Sequence, residues 1–231
     1  GSNGSGLYAD NGLTINGGTI EATGTGDNAA IYAASGDIDL TSATVTAVAE
    51  NAYAIKAANG KLTIEGGEVN AIANTDNPTG SGLYADGAVD ISGATTVTAL
   101  GNQYGINSGT SITISGGDVA ATGTANQGIY TTGNINIVKS DEAESLTVTA
   151  TGGYGIYSDG GNMTVEDAEV IAEGSSADAI YAEIVSLTDA IVTAEGADGI
   201  YAVNGALSIS GGEVDATATI ARSEERVSRN A

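Results

Sequence analysis

The chain has 231 residues, 35 of them Gly, with no Cys, His, Trp or Phe, and a net charge of −23. Only six residues are Lys or Arg, and three of these, Arg222, Arg226 and Arg229, fall in the last ten positions, so the surface repels phosphate backbones and nucleic-acid binding is excluded. The absence of His and Cys removes the usual general base, thiol catalysis and thiolate metal sites, and no apolar run is long enough to insert into a bilayer.

Read from its beginning, the chain repeats. "GLYA" at 6–9 returns as "AIYA" at 30, "AIKA" at 54, "GLYA" at 82, "GINS" at 105, "GIYT" at 128, "GIYS" at 155, "AIYA" at 179 and "GIYA" at 199. The third letter falls at 8, 32, 56, 84, 107, 130, 157, 181 and 201, nine units with spacings of 20 to 28 and a mean near 24. Each unit holds three short runs with period-2 apolar alternation, such as Leu62/Ile64 and Val69/Ala71, which predicts strands with one buried face. Gly, Asn, Asp and Ser punctuate the joins. Pairs at Gly17–Gly18, Gly66–Gly67, Gly116–Gly117 and Gly211–Gly212 mark one corner and predict a backbone with φ > 0. Two longer joins, 74–80 with the only Pro and 138–145, read as loop insertions.

Three short strands per unit bury a core only when stacked on copies of themselves. The predicted fold is all-β: a single-stranded, right-handed parallel β-helix of about nine rungs, spanning residues 1–220, the hand following from the general rule for parallel crossovers. Residues 221–231 depart from the repeat and read as a cap or tail, disordered or non-native. The first unit begins by residue 6 with no cap ahead of it. The chain therefore reads as an excerpt of a larger protein, or as one that associates end to end with a further subunit.

In a stacked coil, equivalent positions form columns. Alternation turns Leu7, Ile31, Ile55, Leu83, Ile106, Ile129, Ile156, Ile180 and Ile200 inward. It turns Tyr8, Tyr32, Lys56, Tyr84, Asn107, Tyr130, Tyr157, Tyr181 and Tyr201 outward, since a buried column would not accept Lys. The tyrosines of that column form either a ladder that stiffens the rod or a platform on which sugar rings lie, Tyr offering a flat face and a hydroxyl. Where the column loses its Tyr, at Lys56 and Asn107, a Tyr stands three residues earlier, at 53 and 104; the seventh unit has both Tyr154 and Tyr157. A second outward column runs Thr14, Asp39, Thr63, Asp90, Thr113, Asn136, Thr164, Ser186, Ser208. Glu173 and Glu195 fall at one corner, as do Asp178 and Asp198, with Asp159 and Glu183 beyond the adjacent strand. These six carboxylates read either as a solvated acidic corner or as a Ca²⁺ site, oxygen ligands suiting that ion.

The run "AIKAANGKLTIEGGEVNA" (54–71), with "DGIYAVNGALSISGGEVDA" (198–216), resembles the bacterial carbohydrate-binding right-handed β-helix repeat family of polysaccharide-lyase-like fold. That family carries D-G-I-x-[AS]-[DE] ahead of L-T-I-x-G-G. Asp178 and Asp198 match the leading acid; Asp10, Asp86, Asp159 and Glu183 match the trailing one. The resemblance covers most of 6–218 and departs at the Tyr column. It implies secretion or a bacterial cell-surface location, Ca²⁺ sites and binding to polysaccharide. With three Lys in the body and no distinguished carboxylate pair, a lyase or glycoside hydrolase ranks last. Two non-enzyme readings lead: a polysaccharide-binding module, and a repetitive spacer or adhesin segment.

Overall fold

A computed structural model describes residues 4–74 and 79–219. Among these every element is a strand, and each strand pairs in parallel with its equivalent one rung away. The fold is a parallel β-solenoid of nine turns. At the parallel strand spacing of roughly 4.8 Å, nine rungs make a rod about 40 Å long. The tail expected at 221–231 lies outside the described residues.

Four rungs have three separate strands, as in Leu7–Ala9, Leu13–Asn16 and Thr19–Gly24, or Tyr154–Ser158, Met163–Glu166 and Glu169–Gly174. In the other five, two strands fuse. Ile38–Ala49, Leu62–Ala73 and Val89–Gly101 run the second strand into the third. Ile180–Thr188 and Ile200–Ser210 run the first into the second. At the shared corner Ser42, Gly66 and Gly93 adopt φ of 50°, 68° and 73°, left-handed residues that bend the chain. Asp167 and Asp189 take the same conformation farther along, with φ of 51° and 48°, and Asp is one of the few side chains that tolerates it. The four Gly pairs meet the expectation at every position except Gly116.

The core is a bundle of columns. From Ile31 to Ile180 the first-strand residues are fully buried. The second strand adds Ile38, Leu62, Val89, Ile112, Ile135, Met163 and Val185, and the third adds a Val column and a narrower Ala column from Ala22 to Ala194. Full burial of each large aliphatic side chain is worth about 1.5–3 kcal/mol, and the alternation makes every rung contribute several. Polar residues inside are few: Ser108 Oγ donates to the Gly87 or Ser111 carbonyl and accepts from the Ser111 amide, Ser158 Oγ donates to the Gly133 carbonyl, and Ser81 Oγ is buried without a hydrogen-bond partner among the described residues. In the last described rung Leu207 and Ile209 hold the core columns of Val185 and Leu187 but are exposed.

The insertion at 138–145 lies at the second corner of the sixth rung, between Ile135–Val138 and Leu146–Gly152. The eighth rung is short, with 20 residues from Tyr181 to Tyr201. Its loss is absorbed at corners, and the first of these shows as a register shift between Ala182 and Ile184.

Candidate functional site

Strand pairing places the whole outward column in one line: Tyr8 on Tyr32, Tyr32 on Lys56, Lys56 on Tyr84, Tyr84 on Asn107, Asn107 on Tyr130, and then Tyr157, Tyr181 and Tyr201. The Thr14-to-Ser208 column is equally continuous.

The rings of the upper rungs are stacked. Tyr130 and Tyr157 have centroids 5.8 Å apart at 13°, Tyr157 and Tyr181 4.5 Å at 12°, and Tyr181 and Tyr201 5.5 Å at 26°. Rings lying flat on the surface, side by side, would need their edge carbons about 3.5–4.0 Å apart. That is impossible at a centroid spacing of 4.5 Å. The rings therefore face one another along the rod and present edges and hydroxyls to solvent. At the other end of the column Tyr8 and Tyr32 meet edge-on instead, so the stacking belongs to the upper rungs.

Where the column holds no Tyr, the residue three positions earlier supplies a ring. Tyr53 lies 4.6 Å from Tyr84, and Tyr104 stacks 4.9 Å from Tyr130 at 22°. The Lys56 ammonium lies over three rings, 5.8 Å from Tyr32, 4.5 Å from Tyr53 and 5.2 Å from Tyr84. Tyr154, whose rung already has a ring in the column, packs edge-on against Tyr157 and Tyr181 at 64° and 76°. Tyr53, Tyr104 and Tyr154 thus belong to the ladder with the seven tyrosines singled out from sequence, and the three-residue offset was the signal for them.

Three of the four trailing acids, Asp10, Asp86 and Asp159, serve the ladder. The Tyr8 hydroxyl donates to Asp10 at 2.9 Å, the Tyr84 hydroxyl donates to Asp86, and Tyr130 reaches Asp159 at 3.5 Å. Residues i and i+2 of a strand share a face, which pairs Tyr8 with Asp10 and Tyr84 with Asp86, while Asp159 accepts from Tyr130 in the preceding rung. Burial pushes up the hydroxyl pKa of Tyr53, Tyr84, Tyr104, Tyr130 and Tyr154, with Asp86 adding to the effect at Tyr84; Tyr157 is pushed up to about 12, by burial and then by Asp159. The bond from Tyr84, helped by the Asn59 amide, holds Asp86 below its ordinary carboxylate value.

The six carboxylates expected around Ca²⁺ lie in different settings. Glu173 and Glu195 are register partners on the third strand. Asp178 is buried and its carboxylate accepts from the Asp198 amide at 2.9 Å. Glu183 accepts from the Asn204 side chain, and Asp159 lies with Tyr130. Among the described residues no three acidic groups converge to hold a metal ion.

One recess interrupts the tyrosine face. It has a volume of about 220 Å³ and is lined by Asp27, Asn28, Ala29, Tyr32, Tyr53 and Lys56. Here the column changes from Tyr to Lys, and Tyr8 meets Tyr32 edge-on, at 64°. Asp27 and Asn28 had no signal in the repeat pattern, because they occupy a corner whose composition varies from rung to rung.

Compared with known proteins, the chain matches no family model, no curated protein and no solved structure. Among the described residues no helix is long and apolar enough to cross a membrane.

Proposed function

We propose that this chain is a non-catalytic β-helical rod, a repetitive spacer segment of a secreted or bacterial cell-surface protein, whose tyrosine column stiffens it from outside. The observation that carries this reading is the face-to-face stacking of Tyr130, Tyr157, Tyr181 and Tyr201. Ring faces engaged with each other are not offered to sugar rings, so the ladder function accounts for the column and the extended platform does not. Continuous parallel pairing through nine rungs supports the same reading, because a spacer needs length and stiffness and the repeat supplies both. The strong negative charge keeps such a rod soluble and apart from its copies.

Rung deletion tests it. Removing residues 107–129 joins Ile106 to Tyr130 and takes out one whole rung in register. The shortened chain should fold with unchanged β content and a rod shorter by about 4.8 Å in solution scattering. A chain that fails to fold after this deletion is not a modular spacer.

A second reading, polysaccharide binding with or without Ca²⁺, is favoured by the recess between Tyr32 and Tyr53. It combines aromatic walls with a carboxylate, an amide and an ammonium, a donor and acceptor set suited to one sugar residue of a chain. Glycan-array binding with and without Ca²⁺, repeated on Tyr32→Ala and on the triple variant Tyr130→Ala/Tyr157→Ala/Tyr181→Ala, separates the readings. Loss only in the first variant assigns binding to the recess; loss in the triple variant restores the platform; no binding by the parent chain leaves the spacer.

A further inference from the structure

We propose that the ladder is a site of oxidative cross-linking, in which a one-electron oxidant joins Tyr157 to Tyr181 by a dityrosine bond between neighbouring rungs of the same chain. Their ring centroids are 4.5 Å apart with planes 12° from parallel, the closest ring pair of the ladder and the most nearly parallel. Both rings leave register-equivalent positions on adjacent parallel strands. Two parallel rings in the same orientation are displaced atom by atom along one vector. The carbons ortho to the two hydroxyls therefore approach about as closely as the centroids do, face to face, as coupling of two phenoxyl radicals requires.

The chemistry closes on two equivalents of oxidant. Each tyrosine gives one electron to the oxidant and its phenolic proton to solvent. The two radicals combine their unpaired electrons into one carbon–carbon bond between ortho positions. The hydrogens on those carbons then move to the two oxygens as the rings regain aromaticity. The balance is loss of two electrons and two protons, with no other bond broken.

Selectivity follows from the surroundings. Tyr53 and Tyr84 are nearly as close, at 4.6 Å, but tilted by 46°, and the Lys56 ammonium lies over both, so a positive charge opposes removal of an electron there. Tyr154 meets its neighbours edge-on. A net charge of −23 concentrates a cationic oxidant at the rod and holds separate chains apart, which favours coupling within a chain over coupling between chains. This goes beyond the spacer reading and does not depend on it: the bond would add a covalent staple across two rungs.

The test uses the intact chain and a photo-generated ruthenium(III) tris-bipyridine oxidant with persulfate as terminal acceptor. After brief irradiation the protein is resolved by size under denaturing conditions and digested at acidic residues. Asp159, Glu166, Asp167, Glu169, Glu173 and Asp178 separate the two tyrosines, so a cross-link joins two peptides at the cost of two hydrogens. The expected result is dityrosine fluorescence in the monomer band, with the Tyr157–Tyr181 peptide pair as the main product. That pair should be lost in Tyr157→Phe, retained in Tyr154→Phe, and no longer preferred when the chain is oxidised in guanidinium. Dityrosine confined to multimers, a cross-link surviving in Tyr157→Phe, or the same product pattern in the unfolded chain would each overturn the proposal.

Discussion

The Lys56 ammonium lies 4.5 Å from the centre of the Tyr53 ring, three residues back in the same rung. This contact explains why the two residues occur together. When a column position gives up its ring, the position three earlier supplies one, and at 56 the vacated place is filled by a cation that rings above, below and beside it all attract. A cation over an aromatic face gains about 0.5–1 kcal/mol at exposed sites and about 2 when desolvated. Lys56 is half-buried, so Lys56→Met should cost about 1 kcal/mol. In a double-mutant cycle with Tyr53→Leu, urea unfolding should give a coupling of the same size, and additive effects would remove Lys56 from the account of the ladder.

The bond from Tyr84 to Asp86 has a defined pH window. Asp86 is held below its ordinary value in the folded chain. Its contribution is therefore complete above the unfolded carboxylate value of about 4, and is lost as pH falls through the lower folded value. Tyr84 is shifted the other way. Its contribution is complete below the unfolded tyrosine value of about 10, and is lost as pH rises toward the higher folded value. Tyr84→Phe should thus cost about 1 kcal/mol at neutral pH, at the low end for a charged bond because the carboxylate is solvated. The difference from the parent chain should shrink at both extremes; a difference independent of pH would show that the hydroxyl bond contributes nothing.

Fold and column were legible in sequence because period 2 and a 24-residue repeat report directly on burial. Ile106 is inside and Asn107 outside for no reason beyond alternation, and no long-range information was needed. The site was legible only in part. The direction of the ring faces depends on the rung spacing acting on neighbouring rings, a property of the stack and of no single unit. The six carboxylates were drawn together by shared corner positions, yet Asp178 turns into the chain to accept the Asp198 amide while Glu173 and Glu195 lie on the third strand. A column alignment gives the rung and the face of a residue but not the hydrogen bond that captures its side chain.

Glycine separates strain from crowding at one corner. Gly18 has φ of +82° and open space where a Cβ would sit; Gly67 has φ of +85°, and its Cβ would fall within 2.3 Å of the Ala43 carbonyl oxygen in the preceding rung. Gly18→Ala should cost only the left-handed penalty, about 1–2 kcal/mol. Gly67→Ala must also push two rungs apart, and should exceed that cost and lower the yield of folded chain. Equal unfolding midpoints for the two variants would mean that the rungs separate freely at this corner.

Ring orientation in the ladder follows from occupancy, and this too can be tested. Tyr104 stacks on Tyr130 at 22° because Asn107 leaves the column place beside Tyr130 without a ring, whereas Tyr154 is turned edge-on because Tyr157 fills the equivalent place. Asn107→Tyr should therefore be accepted by the fold and should displace Tyr104 into the edge-on position. An aromatic pair is worth about 0.5–1.5 kcal/mol beyond its buried area. A cycle between Tyr104→Ala and Tyr130→Ala should show a coupling of that size in the parent chain. In the Asn107→Tyr background it should fall, while a new coupling of similar size appears between residues 107 and 130. If the 104–130 coupling persists unchanged, both rings share the face of Tyr130 and occupancy is not what orients them. If Asn107→Tyr unfolds the rung, the surface at the fifth turn is more tightly packed than at the seventh, and the offset tyrosines are fixed by their own strands, not by the vacancy beside them.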